Sequence, residues 1–250
     1  MLAGQTGRRG MNAEGRMRGA LILGVAAMVV AGAGNAWAQA PGRPVVVELF
    51  TSEGCSSCPP ADALLSELAR TRPDVLALAF HVTYWDRLGW PDPFALRAAT
   101  ERQQHYVATL GLDSIYTPQM VVDGRQDVIG SDREGVAAAL RRAEAAQPKP
   151  VALRLARAGL LVTLEVGDGG GARAASVLLV GYDPMHRTRV ARGENAGATL
   201  TEANIVRGVS RVADWRGARM TVQAAAPAGE RLAAILQAPD GRVLGAARLE

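Results

Sequence analysis

The sequence predicts an α/β protein in which an α/β domain is followed by a small antiparallel β domain of sandwich type. Two observations lead to this prediction. Between Pro44 and Ala146, short apolar runs alternate with segments of helical periodicity, as in α/β domains. After Pro150, short apolar runs are separated by turn sequences such as Gly167–Gly171, a pattern typical of antiparallel sandwiches. The predicted domains are residues 39–147 and 151–250.

The elements of the first domain follow in order from the pattern. Val45–Phe50 is a short apolar run typical of a buried strand, and Ala61, Leu64 and Leu68 form one helical face. The remaining predicted elements are a strand at Val75–Val82, a helix over residues 94–110, a strand at Met120–Val122 that enters an Asp-Gly turn, and a helix over residues 132–146 capped by Asp132.

The second domain is predicted from shorter runs. The sequence Gln147-Pro148-Lys149-Pro150 breaks the preceding helix and marks the boundary. The predicted strands are Val151–Leu155, Leu160–Val166, Ser176–Val180, Met220–Ala224, Leu232–Leu236 and Val243–Leu249. Residues 199–208 are predicted to form a short helix or a loop.

Residues 1–38 have the composition of an export signal. Arg16 and Arg18 are followed by an apolar stretch over residues 19–34 and by the small-x-small site Ala36-Trp37-Ala38. The stretch is shorter than the roughly 20 residues of a membrane span, so no span is expected after cleavage. We expect a periplasmic or secreted protein, in a compartment where disulfides persist. The alternative is an uncleaved N-terminal anchor.

Charge and cysteine content exclude several classes of protein. The chain has 28 basic and 24 acidic residues, and removal of residues 1–38 leaves 24 and 23, which argues against a nucleic-acid binder. Two cysteines exclude a disulfide-dense scaffold and a four-cysteine zinc site. The sequence contains no phosphate-binding loop or dinucleotide fingerprint, and exchange between protein dithiols needs no organic cofactor, so none is expected. No metal is expected either, because a strand histidine such as His81 is more often packed than a ligand.

The pair Cys55–Cys58 carries the predicted chemistry. This C-x-x-C follows a predicted strand and opens a predicted helix, whose free N–H groups and positive dipole end stabilise a thiolate. Cys55 is the predicted attacking sulfur, and Cys58 can reach back to resolve a mixed disulfide. Because Pro59 and Pro60 follow, the regular helix is expected to begin near Pro59, which weakens the effect of the dipole on Cys55.

A second motif lies about sixty residues further on, where Thr117-Pro118 precedes a predicted strand. With the C-x-x-C, it resembles the thioredoxin superfamily, in which a cis-proline loop lies beside the cysteines. The resemblance implies that the Thr117 backbone pairs with a substrate chain in β-like fashion. The alternative is an ordinary trans turn proline.

Longer motifs make the resemblance more specific. The segments VVVELFTSEGCSSCPPAD, YWDRLGWPDPF, RQQHY, YTPQMVVDGR and RGENAGATLTEANIVRG resemble the DUF1223 family. This family comprises exported bacterial proteins with a thioredoxin-like domain and no settled function. The resemblance covers most of residues 44–250. It implies a thioredoxin-like fold for the first domain but no substrate.

Four other residues are candidates for the same site. Glu48, on the strand before the motif, and Asp86 are candidate proton relays, because a buried acid near this point helps to deprotonate the resolving cysteine in thioredoxins. Tyr84 and Trp85 belong to an aromatic loop that is expected to line the C-x-x-C surface. The alternatives are a strand-edge glutamate, a loop-capping aspartate and a small satellite core.

Three further features are ambiguous. Glu53 and Asp62 place negative charge near the cysteines, which disfavours a thiolate. His81 is either packed in its strand or, with the cysteines, a metal ligand, and packing is favoured. The polar segment Arg192–Asn195 forms either a ligand or partner surface or a buried network that ties a loop to the sandwich.

Two functions follow from the sequence. The first is an exported thiol–disulfide oxidoreductase that exchanges electrons with protein dithiols or disulfides of the cell envelope, with Cys55, Cys58, Thr117 and Pro118 at its site. The second is a non-enzymatic envelope protein in which Cys55–Cys58 is a permanent staple and the β domain binds a partner.

Overall fold

A mixed eight-stranded sheet organises residues 42–146, 149–171 and 174–249, which are the residues described in this computed structural model. The predicted export signal at residues 1–38 lies outside them. The elements are β1 (Val45–Thr51), α1 (Pro59–Thr71), β2 (Val75–His81), α2 (Arg97–Leu110), β3 (Gln119–Val122), β4 (Gln126–Ile129), α3 (Arg133–Ala145), β5 (Leu153–Ala158), β6 (Leu161–Val166), β7 (Ala175–Arg189), β8 (Thr199–Trp215), β9 (Met220–Ala225), β10 (Arg231–Gln237) and β11 (Val243–Leu249).

The strand order in the large sheet is β11-β10-β7-β8-β2-β1-β3-β4. Strands β1 and β2 are parallel and connected through α1, and β3 pairs antiparallel with β1. This βαβ pattern with the cysteine pair after β1 is the thioredoxin-like part of the fold. Strands β5, β6 and β9 form a separate antiparallel sheet. The predicted fold class, α/β with a thioredoxin-like part and a small antiparallel sheet, is therefore confirmed.

Helices cover both faces of the β1–β3 region. Side chains of a strand alternate between faces, so Leu49 packs with residues of α1 and α3 whereas Phe50 packs with residues of α2. Burial on both faces explains why every residue of β1 and β2 is buried. The small sheet packs in turn on the C-terminal strands, where Val162 and Leu164 share a core with Leu179.

The helix boundaries agree with the local sequence signals. Helix α1 begins at Pro59 with Cys58 as its N-cap residue, because proline lacks an N–H that the first helical turn would leave unpaired. Helix α3 begins after Asp132, whose side chain accepts a hydrogen bond from the Gly135 N–H. Among the described residues, no helix is long and apolar enough to cross a membrane.

The prediction of a helix or loop over residues 199–208 is wrong, because these residues belong to β8. This strand pairs antiparallel with β7 from Arg189↔Thr199 to Ala175↔Trp215. Long-range pairing therefore outweighs weak local signals here. Strand β8 also joins β2, so the large sheet continues through both predicted domains, and the boundary at 147–150 stays a prediction.

Candidate functional site

The Cys55–Cys58 disulfide occupies the loop between β1 and α1, with the two Cα atoms 5.4 Å apart. Both cysteines have no exposed surface, whereas Ser56 and Ser57 between them are exposed. The Ser57 hydroxyl lies 3.4 Å from the Cys55 Sγ. The disulfide therefore lies between β1 and α1, where the sequence predicted it, but both cysteines are buried.

The Thr117-Pro118 bond is cis, and Thr117 lies beside the disulfide. The Thr117 hydroxyl donates a hydrogen bond to the Cys55 Sγ at 3.3 Å. It also accepts one from the Trp85 Nε1–H at 2.8 Å. The Trp85 indole N–H therefore donates to the Thr117 hydroxyl, which donates to the sulfur, and this chain of hydrogen bonds orients the Thr117 hydrogen.

Trp85, in the aromatic loop at residues 84–94, takes part in this arrangement through its bond to Thr117. Trp85 packs against Gly54. A Cβ atom added at Gly54 would lie 3.4 Å from the Trp85 Cβ. The Tyr84 hydroxyl donates to the Gln103 Oε1 at 3.2 Å, and burial raises the pKa of Tyr84. Asp86 is half-buried and accepts a hydrogen bond from the Asp92 backbone N–H at 3.1 Å, so its carboxylate caps the loop.

Glu48 is buried but points to the other face of the sheet, toward α2. Arg102 binds both carboxylate oxygens, with a distance of 2.8 Å from Nη2 to Oε1. The Tyr106 hydroxyl donates to the same Oε1 at 2.7 Å. Arg102 also stacks on Tyr106 and contacts Gln237. The structure therefore does not bring Glu48 together with Thr117 and the disulfide.

The loop between β7 and β8 reaches the disulfide from the C-terminal part of the chain. The Asn195 Nδ2 donates to the carbonyl oxygens of Glu53 and Cys55, each at 2.9 Å. The Glu194 Oε2 accepts hydrogen bonds from the Ser56 N–H at 3.1 Å and from its hydroxyl at 2.6 Å. These bonds lower the pKa of Glu194. These contacts differ from the buried network with the sandwich that the sequence suggested, because Glu194 is exposed and segment 192–195 is tied to the cysteine loop.

A cluster of buried ionisable groups lies around His81, beside the start of α1. The His81 Nδ1 is 2.7 Å from the Asp92 Oδ2, and its Nε2 is 3.7 Å from the Glu202 Oε1. Asp92 also accepts a hydrogen bond from the Glu53 N–H. Asp62, one helical turn after Cys58, accepts a hydrogen bond from the Thr51 hydroxyl at 2.8 Å.

Burial and mutual charge shift the pKa values of this cluster. Burial raises the pKa of Asp62 to about 7 and that of Glu202 to about 8. Burial alone would lower the pKa of His81, but the hydrogen bond and charge of Asp92 outweigh it and raise the pKa to about 9. Burial also raises the pKa of Glu53. At neutral pH the cluster therefore holds exchangeable protons close to the disulfide.

Sequence reasoning missed the roles of Glu202, Asp92 and the Glu194–Asn195 pair. Glu202 was hidden by the wrong assignment of residues 199–208. Its buried position does follow the alternation of β8, in which Leu200 and Glu202 face inward between exposed threonines. The contacts of Asn195 join residues 140 or more positions apart in the sequence. Only the high proportion of polar residues in segment 192–195 indicated that this segment has a role.

In the part of the chain that the structure describes, no three His, Cys, Asp or Glu side chains are arranged to hold a metal ion. The His81 cluster contains enough such residues, but His81 Nδ1 is paired with Asp92, and Asp62 is bonded to the Thr51 hydroxyl. His81 is packed and paired with Asp92, and it lies in a T-shaped contact with Phe94. A proton network is the chemistry that this arrangement supports.

Comparison with known proteins gives a consistent result. The model of the family described as "Protein of unknown function (DUF1223)" matches residues 46–237. The crystal structure of protein AGR_C_4864 from Agrobacterium tumefaciens is similar with a TM-score of 0.72 and 34% identity, over 85% of this chain and 96% of that one. HBP35 of Porphyromonas gingivalis has a TM-score of 0.58 and 14% identity, over 83% of this chain and 74% of that one, a likeness of fold alone. The sequence matches none of the curated proteins.

Proposed function

The chain belongs to the DUF1223 family, and from this premise we propose that it is an exported thiol–disulfide oxidoreductase. The single observation that carries the proposal is the hydrogen bond from the Thr117 hydroxyl to the Cys55 sulfur beside the cis Thr117-Pro118 bond. A donor aimed at one sulfur of a C-x-x-C stabilises the negative charge that develops there during exchange.

The exchange proceeds through a mixed disulfide. In the oxidised protein a partner thiolate attacks the Cys55 Sγ, forms a bond to it and releases Cys58 as a thiolate. A second thiol of the partner then displaces Cys55, so the partner is oxidised by two electrons and the Cys55–Cys58 pair is reduced. In the opposite direction the Cys55 thiolate attacks a partner disulfide and Cys58 displaces the product. No organic cofactor takes part in either direction.

Reduction of the pair takes up two protons, and Asp62 is suited to deliver one. Its N–H donates to the Cys58 carbonyl oxygen at 3.1 Å in the first turn of α1. Burial keeps its pKa near 7, so a substantial fraction of Asp62 is protonated at neutral pH. We assign proton delivery to Asp62 in place of Glu48, whose carboxylate is bound by Arg102.

The partner in this proposal is a dithiol or disulfide protein of the cell envelope. The composition of residues 1–38 supports export to an oxidising compartment. The backbone of Thr117 beside the cis proline provides an edge for an extended partner segment, as the resemblance to thioredoxins implies.

The reduction potential of the Cys55–Cys58 pair tests the proposal. The purified protein is equilibrated with glutathione and dithiothreitol redox buffers, and its free thiols are counted. An exchange-active pair is expected between about −120 and −270 mV, with equilibration within minutes. A potential below about −300 mV, reached only over many hours, would contradict the oxidoreductase.

One observation favours a second candidate function, a binding protein with a structural disulfide: both cysteines lack exposed surface. The variant Cys58→Ala separates the two functions. An oxidoreductase variant retains the attacking Cys55 and accumulates mixed disulfides with envelope proteins, which Cys55→Ala does not. A purely structural disulfide predicts no mixed disulfides with either variant, and it predicts that Cys55→Ala and Cys58→Ala lose stability to a similar degree.

A further inference from the structure

The loop that connects β7 to β8 is held as a compact tip beside the disulfide. We define the hairpin tip as residues Val190–Ala198. The Val190 N–H donates to the Ala198 carbonyl oxygen at 3.0 Å, and the Gly197 N–H donates to the Val190 carbonyl oxygen at 2.9 Å. Gly193 has a φ of +82° and packs on Trp90, where a Cβ atom would lie 3.1 Å from the Trp90 Cβ. The tip is therefore braced by the aromatic loop.

Four hydrogen bonds join the hairpin tip to the disulfide loop. Asn195 donates two of them to the carbonyl oxygens that flank Gly54, and Glu194 accepts two from Ser56. The tip thereby holds the backbone on both sides of Cys55. It does so from a part of the chain that is about 140 residues distant in sequence.

The closed loop conflicts with the chemistry of exchange. An attacking thiolate must approach the Cys55 sulfur along the S–S axis, but neither cysteine has exposed surface. The loop therefore has to shift before a partner can react. On one side it is held by Thr117 and Trp85, which are half-buried. On the other side it is held by the tip, in which Arg192, Gly193 and Glu194 are exposed.

Local opening begins where few buried contacts must be broken. We propose that the hairpin tip is a lid on the Cys55–Cys58 site, and that release of Glu194 from Ser56 and of Asn195 from the Cys55 carbonyl exposes the Cys55 sulfur. The redox consequence of the lid rests on the proposed oxidoreductase function. The control of access itself is a property of the tip and can be measured without a partner protein.

The experiment measures access to the disulfide with an uncharged phosphine, tris(3-hydroxypropyl)phosphine. The phosphine is oxidised to its oxide, water supplies the oxygen and two protons, and the disulfide becomes two thiols. The rate of thiol release is compared for the native chain, Asn195→Ala, Glu194→Ala and the matched control Arg192→Ala, an exposed change in the same tip. A neutral reductant ensures that the loss of a charge does not alter its approach.

Removing the hydrogen bonds of Asn195 or of Glu194 is expected to increase the fraction of molecules in which the cysteine loop is open, and hence the reduction rate, by about 5- to 10-fold. Arg192→Ala is expected to remain within twofold of the native rate. In the oxidised native chain the Ser56 amide, bound by Glu194, is expected to be protected from hydrogen exchange, and Glu194→Ala removes that protection. Equal reduction rates in all four proteins, or unchanged hydrogen exchange at the Ser56 amide, would contradict the proposal that the hairpin tip is a lid.

The outcome is independent of the test of function. Faster phosphine reduction in Asn195→Ala together with a potential below about −300 mV supports the lid and rejects the oxidoreductase. Equal phosphine rates together with a potential in the exchange-active range reject the lid and leave the oxidoreductase standing. A retained melting temperature in each variant shows that faster reduction reports local opening of the site and not global unfolding.

Discussion

Thr117 donates its hydroxyl hydrogen to the sulfur of Cys55 across 62 positions of sequence, and the Trp85 indole fixes the orientation of that hydroxyl. The sequence suggested that these residues meet, but it did not indicate a side-chain bond to sulfur. Because the Trp85 N–H occupies a lone pair of the Thr117 oxygen, the Thr117 hydrogen is left to point at the Cys55 sulfur. The arrangement therefore favours charge on Cys55 over charge on Cys58.

We predict that Thr117→Val lowers the reduction potential of the pair. The change removes the donor to Cys55, so the reduced form loses stabilisation of its thiolate. A bond worth about 1.4 kcal/mol corresponds to a potential about 30 mV more negative. The potential is measured against glutathione, with Thr117→Ser as the control because it keeps the hydroxyl. A potential lowered equally in Thr117→Ser, which keeps the donor, would contradict the role assigned to the hydroxyl.

We predict that Glu48→Gln destabilises the fold without altering the redox chemistry. The change leaves the guanidinium of Arg102 buried without a counter-charge, at a cost of about 3 kcal/mol in the free energy of unfolding. The matched control is Glu101→Gln, which breaks an exposed pair with Arg97 on the same helix and is expected to cost less than about 0.5 kcal/mol.

Urea unfolding of oxidised protein gives the stability difference, and the pH dependence of the reduction potential gives the redox readout. A changed pH dependence in Glu48→Gln alone would restore the relay role that the sequence suggested for this residue. An unchanged profile together with reduced stability would support a purely structural ion pair.

The contrast between Glu48 and Cys55 shows what the sequence could predict. The position of the cysteine pair and the start of α1 follow from local chemistry, because Pro59 and Pro60 fix where the helix can begin, whereas the cis proline loop was expected from the resemblance to thioredoxins. The face occupied by Glu48 does not follow, because β1 is buried on both sides and its sequence has no alternation. The partner of Glu48 lies on α2, 54 residues away.

The hairpin tip and the His81 cluster were beyond local reasoning for a related reason. Glu202 and Asn195 acquire their roles only because β8 pairs with β2 and β7 in one sheet. No turn signal or periodicity specifies a parallel contact between strands that are more than 120 residues apart. Composition could mark Arg192–Asn195 as polar, but only the fold identifies the backbone that these side chains bind.

We predict that the protein loses stability between pH 7 and pH 9.5. Burial raises the pKa of Glu202 to about 8, so the folded state binds more protons than the unfolded state between about pH 4.5 and pH 8, and stability falls across that window. The stability from protonated His81 is complete below about pH 6.5 and is lost as the pH rises through about 9. Deprotonation of Glu202 and deprotonation of His81 therefore both lower the stability as the pH rises.

The melting temperature is expected to fall by about 5–10 °C over this range. Glu202→Gln places an uncharged side chain at this position at every pH and is expected to remove about a third of the fall, while the exposed change Glu134→Gln leaves the fall intact. A melting temperature that is flat to pH 9.5 in the native chain would contradict the protonation state that we assign to the cluster.

We predict that the charge of Glu194 restrains the reactivity of reduced Cys55. Hydrogen bonds from Ser56 lower the pKa of Glu194, so it is ionised at neutral pH and places a negative charge beside the cysteine loop. A nearby negative charge disfavours a thiolate, and solvent screening keeps the effect modest. Glu194→Gln is therefore expected to raise the thiolate fraction at pH 7 by about two- to threefold.

The rate of iodoacetamide alkylation of the reduced protein measures this fraction, and pH separates charge from access. Release of the hairpin tip speeds alkylation equally at every pH, whereas the charge acts only while Cys55 is incompletely ionised. Asn195→Ala releases the tip without changing its charge and is expected to give the same acceleration at pH 7 and pH 10. For Glu194→Gln the acceleration should be larger at pH 7 than at pH 10, and equal accelerations at the two pH values would show that Glu194 acts on access alone.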